Sequence, residues 1–357
     1  MSVLSKGKEF WNRFLKYEDK IIQCLNSNEG EPLTSIMEEL DDFCTQISGC
    51  HFFVETYYDS LELTFDTGPN KTSQYIASEL VSIAPESIKK RWIINACLPP
   101  LSSKAVQSQV QIKDETYGLQ DFFVFYEQIE STETLSCHVY CPGFRLIKNT
   151  ENKKEMSMYL LELALGECYY ESYISSVDFI DVPSNEIQNF CNLVDFYEKL
   201  SDLVVEKKWK TYAKPQDIYS VYQPIENIVH DALRKDMKYI FTTHPLLIED
   251  TLENKADVLW DLKSKDGEFG YIYFANPFMN QQDALFRQNL SKKLDEAISL
   301  EHAGNVIGGA IGKSFSYIDC IVYDVELFKN IFKQIKKQLD SSIELHYRSF
   351  EEDHELN

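Results

Sequence analysis

Four polar residues late in the chain, Lys313, Asp319, His346 and Arg348, have the side-chain types that bind anions and move protons. Lys313 stands in Gly312-Lys313-Ser314, behind Gly304, Gly308 and Gly309, and so invites comparison with a phosphate-binding loop. That loop needs four residues between its first glycine and Gly-Lys-Ser/Thr, which would put the first glycine at Ile307. It must also lead into a helix whose N-terminus faces the phosphates, whereas "SFSYIDCIVY" alternates like a strand. Spacing and downstream element both fail. The stretch reads as a β-hairpin turning at Lys313, with Gly308 and Gly309 at close-approach or bulge positions.

Strand alternation sorts the neighbouring side chains. Phe315, Tyr317, Asp319, Ile321 and Tyr323 share one face, and Ile318, Cys320 and Val322 share the other, packed under helices. Tyr271 and Tyr273 alternate on "FGYIYFAN", and "SIELHYRSF" separates Glu344, His346 and Arg348 from Ile343, Leu345 and Tyr347. A helix-free face carrying Tyr271, Tyr273, Tyr317, Asp319, His346 and Arg348, with Lys313 at its corner, is the candidate binding surface. The competing expectation is that this face packs on the N-terminal half, with Asp319 paired to an arginine. No residue is assigned a catalytic role.

Other constellations are weaker. Cys137 and Cys141 in "CHVYC" would sit about 13 Å apart on a strand, too far to share one zinc ion. No metal or other cofactor is expected. The chain has no Gly-x-Ser-x-Gly elbow and no metal-spaced histidine pair. Glu18 is the one acid that breaks its pattern, on the apolar stripe of Phe10, Trp11, Phe14, Ile21 and Ile22. A buried acid there is either a functional carboxylate of raised pKa or an anchor for an arginine or backbone donors.

These residues need elements to position them. The first helix carries that stripe, and a second covers Thr34 to Ile47. Strand, strand, helix, strand then follow in that order, twice, the second unit ending with "KEMSMYLLELAL", a stop at Gly166, and "ECYYESYISSVDFIDV" as a strand. Asp181-Val182-Pro183-Ser184 marks a boundary, with a long helix beyond it to about Trp209. The fold class is therefore α+β in two domains, residues 1–183 and 184–357. Within the second, residues 268–350 read β-α-β-β-α-β, a ferredoxin-like plan with helices on one sheet face only.

With 57 acidic against 35 basic residues the net charge is −22, and both halves share the excess. Such a field repels phosphate backbones and favours a basic or neutral protein partner. No apolar run is long enough to span a bilayer, and "MSVLSKGKEF" lacks a signal core, so a cytoplasmic protein with neither membrane nor nucleic-acid contact is expected. Nine scattered cysteines suit a reducing compartment.

"EFWNRFLKYEDKII", "LELTFDTG", "LVSIAPESIKKRWIINACLPP" and "LELALGECYYESYISSVDFID" resemble segments of a bacterial family of unknown function. The matching positions are Phe10, Trp11, Phe14 and Glu18, then Ala84-Pro85 and Trp92, then Leu165, Gly166 and Glu167, so the likeness covers mainly residues 8–183. The resemblance brings no catalytic residues. By analogy of size, charge and α+β class, it suggests a non-catalytic protein-binding module of the toxin-neutralising immunity type. The alternative is a small-ligand sensor or enzyme using an inter-domain cleft near Asp319, His346 and Arg348.

Overall fold

The structure, a computed structural model, describes residues 1–27, 30–57, 60–101, 108–184, 186–224, 233–339 and 343–354. It is mixed α+β with several small sheets. The chain begins with helices α1 (Val3–Ser27) and α2 (Gly30–Ser48), strands β1 (His51–Tyr57) and β2 (Ser60–Asp66), helices α3 (Lys71–Ser82) and α4 (Glu86–Lys89), and strand β3 (Trp92–Asn95). It continues with β4 (Gln109–Ile112), β5 (Glu115–Gly118), β6 (Phe123–Ile129), β7 (Thr134–Tyr140), α5 (Thr150–Tyr173), β8 (Ile174–Ile180), β9 (Phe190–Asn192) and α6 (Phe196–Lys207). The last part holds β10 (Ser220–Tyr222), β11 (Met237–Thr242), α7 (Pro245–Leu252), α8 (Asp257–Ser264) and β12 (Glu268–Ala275). There follow α9 (Gln282–Leu300), β13 (Gly304–Gly312), β14 (Phe315–Val322), α10 (Val325–Gln338), β15 (His346–Ser349) and α11 (Phe350–His354). None of the described helices is long and apolar enough to cross a membrane.

Two compact units are assembled from non-contiguous pieces. The first takes Met1–Phe52, Asn70–Arg91 and Tyr219–Asn357, and the second Phe53–Pro69 and Trp92–Ile218, so that Asp181–Ser184 lies within the second.

The first unit is organised by a six-stranded sheet in the order β10-β11-β13-β14-β12-β15, every neighbouring pair antiparallel. β13 and β14 form the hairpin that turns at Lys313, so Ser314 leads into a strand and not a helix. A register shift between Val306 and Gly308 makes a bulge. Gly308 and Gly309 take φ of 153° and 156°, and a Cβ on either would run into a neighbouring strand's carbonyl. Leu290, Leu294 and Ile298 of α9, with Phe328 and Ile331 of α10, bury one sheet face against Ile272, Phe274, Ile318, Cys320 and Val322. Asp324 caps α10 by accepting from the Leu327 amide at 3.0 Å.

The other face is covered as well, against the expectation that it is free of helices. Phe350 of α11 lies edge-on to Tyr271 at 5.2 Å, and the Tyr323 hydroxyl donates to the Tyr75 carbonyl of α3 at 3.1 Å. Tyrosines as large as 271, 317 and 323 bury too much apolar surface to stay in water, and their hydroxyls then require partners. In the same unit Phe10, Trp11 and Phe14 of α1 pack fully buried, and the Trp11 indole donates to the Leu80 carbonyl at 2.7 Å.

In the second unit a four-stranded sheet, β8-β7-β6-β9, packs with α5 and α6 around Val124, Tyr126, Cys137, Val139, Leu161, Leu165 and Phe196. β6 and β7 pair antiparallel while β7 and β8 pair in parallel, and β2 and β3 also pair in parallel. Two readings of the sequence are corrected here. Residues 190–195 are not the start of a long helix. Phe190–Asn192 is an edge strand on β6, with Phe190 stacked on Phe125 at 5.2 Å, and the Asn192 side chain caps the following turn before α6 begins. Gly166 does not end α5. It kinks the helix at φ 71°, ψ 158°, and helical structure resumes to Tyr173, so the strand starts only at Ile174. The kink lets the Leu98–Pro100 backbone lie against Gly166, where a Cβ would come within 2.6 Å of the Pro100 nitrogen.

Candidate functional site

Strand register brings most of the expected surface together. Tyr271 sits opposite Asp319 on one side and Arg348 on the other, and Tyr273 sits between Tyr317 and His346. These groups are engaged with the fold. Asp319 is fully buried and accepts from the Arg234 guanidinium at 2.6 Å, with Arg234 itself 8% exposed. That guanidinium lies over the rings of Phe350, Tyr271 and Tyr317 at 4.5, 5.0 and 5.5 Å. Burial works against its charge, but Asp319 outweighs burial and the net pKa shift is upward.

A second buried acid, Asp236, organises the Lys313 corner. Its carboxylate accepts from the Tyr317 hydroxyl at 2.6 Å and from the Ser314 and Phe315 amides at 2.8 and 3.0 Å. Its carbonyl accepts from the Lys313 amide at 2.9 Å. The amides that a phosphate loop would present to a ligand are thus bound to Asp236. Burial, then the bond to Asp236, raises the Tyr317 pKa, and burial with Asp353 does the same for Tyr271, whose hydroxyl donates to Asp353 at 2.6 Å. Arg348 pairs with Asp353 at 2.8 Å, and His346 stacks on Tyr273 at 5.0 Å with Glu344 3.7 Å from its ring. Glu18, 5% exposed, pairs with Arg91 at 3.2 Å.

The residue that sequence reasoning passed over is Arg287. The sheet is six strands wide, yet α9 lies over β13 and β14 with α10 beside it. β10 and β11 extend past that cover, and a groove of about 490 Å³ opens along α9. It is lined by Ala284, Arg287, Gln288 and Ser291 of the helix and by Tyr219, Phe241, Val306, Gly308 and Ile311 of the sheet side. The Arg287 guanidinium stands 5.8 Å from the Phe241 ring centre. One of its terminal nitrogens is 2.9 Å from where a Gly309 Cβ would project, so the missing side chain is what admits it. Its Nε is buried without an acceptor, and among the described residues no carboxylate pairs with it. Burial holds its pKa below the usual arginine value, and Asp319 and Tyr219 offset only part of that effect.

Three further buried groups titrate abnormally. Glu167, at the restart of α5, accepts from the Thr67 and Leu98 amides at 3.1 and 3.0 Å and from the Thr67 hydroxyl, yet burial pushes its pKa up to about 7. Burial lifts Glu79 to about 8, and His302 faces it at 2.9 Å without hydrogen-bond geometry. His244, which caps α7 through Nδ1 and meets Thr72 at 3.0 Å, is lowered by burial to about 3. Among the described residues no group of three or more His, Cys, Asp or Glu side chains is placed to hold a metal ion.

No family model, no curated protein and no solved structure matches the chain.

Proposed function

We propose that the protein is a non-catalytic binding module. One observation carries this: the polar residues that converge on the large sheet already bind one another. Asp319 holds Arg234, Asp236 holds Tyr317 and the Lys313 corner, and Arg348 pairs with Asp353. A general acid, base or nucleophile has to meet a substrate, and these groups are committed to the fold. The net charge of −22 favours a basic or neutral protein partner and disfavours nucleic acid, with toxin neutralisation as the specific form of this reading. Nine free thiols support a cytoplasmic setting.

Two finer points of architecture belong to the same proposal. The order β13-β14-β12-β15, with α9 and α10 between the strands in sequence, supports a ferredoxin-like reading of residues 268–350. The parallel pairs β2–β3 and β7–β8, each reached through helix, support two strand-strand-helix-strand units in residues 1–183.

The test is affinity capture of proteins from native lysate on the immobilised full chain, followed by calorimetric titration with the purified captured protein at low and high salt. A one-to-one complex with a basic or neutral protein, weakening as salt rises, is expected. Retention of nucleic acid, or of no protein at physiological salt, contradicts the proposal.

A second reading, a small-ligand sensor, is favoured by a separate observation. The groove along α9 contains a half-buried guanidinium with an unfilled donor. That observation supports a sensing site beside Arg287.

A further inference from the structure

Resting on the ligand-sensing reading, we propose that the groove between α9 and strands β11 and β13 binds a small organic carboxylate, held by Arg287. Three features of the groove set this chemistry. Arg287 offers a planar fork of donors, and the fork matches the two oxygens of a carboxylate in a bidentate pair. Among the described residues its Nε is buried with no acceptor, and a buried donor left unpaired is costly.

The walls decide which anion. Phe241, Ala284, Val306 and Ile311 present apolar surface beside the guanidinium, and Tyr219, Gln288 and Ser291 add neutral polar edges. A carboxylate on an aromatic or aliphatic body satisfies both parts. A phosphate fits less well. The groove runs along the flank of α9 from Ala284 to Ser291, and among its described lining residues Arg287 is the one cation, where a phosphate site commonly gathers several. A chain of net charge −22 also repels a dianion more strongly than a monoanion. The volume of about 490 Å³ lies within the usual range for small-molecule sites.

The glycine pair has a role in this arrangement. Gly308 lines the groove, and any side chain at 309 would collide with the Arg287 guanidinium as well as the Tyr317 carbonyl. The bulge that the sequence marks with two glycines is therefore the seat of the arginine.

The experiment uses the full chain with three probes, benzoate, benzamide and inorganic phosphate, titrated by calorimetry and by chemical shifts of the labelled arginine side chains. Wild type is compared with Arg287→Met and Arg287→Lys, and circular dichroism checks the fold of each. Benzoate is expected to bind at least about tenfold more tightly than its neutral amide, to shift the Arg287 Nε signal, and to lose that preference in Arg287→Met. Arg287→Lys should keep part of it, since the charge remains while the fork is lost. Equal binding of benzoate and benzamide overturns the carboxylate assignment but leaves a ligand groove standing. Phosphate binding more tightly than benzoate likewise overturns it. Failure of all three probes to perturb Arg287, in a folded protein, removes the sensing reading along with the carboxylate.

Discussion

Asp319 in the first unit and Glu167 in the second are both fully buried carboxylates, and different chemistry holds them. Asp319 faces a guanidinium at 2.6 Å, itself sandwiched among aromatic rings. Glu167 receives two amides and a hydroxyl, and its pKa rises to about 7. Neutral donors reduce the cost of burying a charge without cancelling it, whereas a paired cation cancels most of it. The first unit's polar face is thus an ionic lock that keeps its charge. The second unit's acid sits close to losing its own at neutral pH. Arg287 completes the comparison as a half-buried cation that, among the described residues, lacks the partner that Asp319 has.

The sharpest way to break the lock is Arg234→Met. It leaves Asp319 buried and uncompensated, and urea unfolding should show a loss of roughly 3–5 kcal/mol. The double variant Arg234→Met/Asp319→Leu should recover much of that loss, because removing both charges also removes the penalty. If the single variant is neutral, the pair is not what holds the face together.

Gly166→Ala probes the neutral-donor site through its backbone. The new Cβ enters the Leu98–Pro100 backbone, and φ of 71° disfavours alanine, so a loss of roughly 2–4 kcal/mol is expected in the same assay. Reduced packing around Glu167 should appear as faster amide exchange at Leu98 and Glu167, whose amide and carbonyl groups pair across the kink.

The titration of Glu167 sharpens the contrast further. Its folded pKa lies above that of an unfolded glutamate, so the folded protein holds the proton more tightly between about pH 4.5 and 7. Its contribution to stability is therefore full below pH 4.5 and is lost as pH rises through 7, a change on the order of 3 kcal/mol. Glu79 acts in the same direction up to about pH 8. His244 acts oppositely: it is buried neutral, so its contribution is present above about pH 6.5 and declines as pH falls toward 3. Glu167→Gln should flatten the decline in unfolding midpoint between pH 5 and 8 and leave the His244-dependent acid limb in place. An unchanged slope would show that Glu167 does not titrate in that window.

Much of this was readable from residue patterns where the determinants are local. Alternation from Phe315 to Tyr323 separates the helix-packed residues from Tyr317 and Asp319, and the glycine spacing before Lys313 excludes a phosphate loop. Asp324 as a cap and the α1 stripe with Glu18 are local signals too. What escaped depends on long-range partners. Arg234 lies 85 positions from Asp319, and Thr67 lies 100 from Glu167, so neither pairing leaves a mark in either segment. Gly166 reads as a helix stop because left-handed glycine is the usual end signal, and only the packed Leu98–Pro100 segment makes it a kink. Residues 190–195 carry apolar spacing that suits a helix, and pairing with β6 overrides it. Arg287 looks like any polar position beside Phe286 and Leu290. Its seclusion arises from β10 and β11 widening the sheet beyond its helices, which local periodicity does not report.

The smallest stability change is expected at Arg287, on which the proposed carboxylate groove rests. Urea unfolding of Arg287→Met without any added ligand measures whether the fold needs that cation. An unchanged stability, or a gain of up to about 1 kcal/mol from removing an unpaired, half-buried charge, is the expected result. A loss of 2 kcal/mol or more, on the scale of the Arg234 lock, would mean that Arg287 serves the fold itself and that the groove is not held open for a ligand.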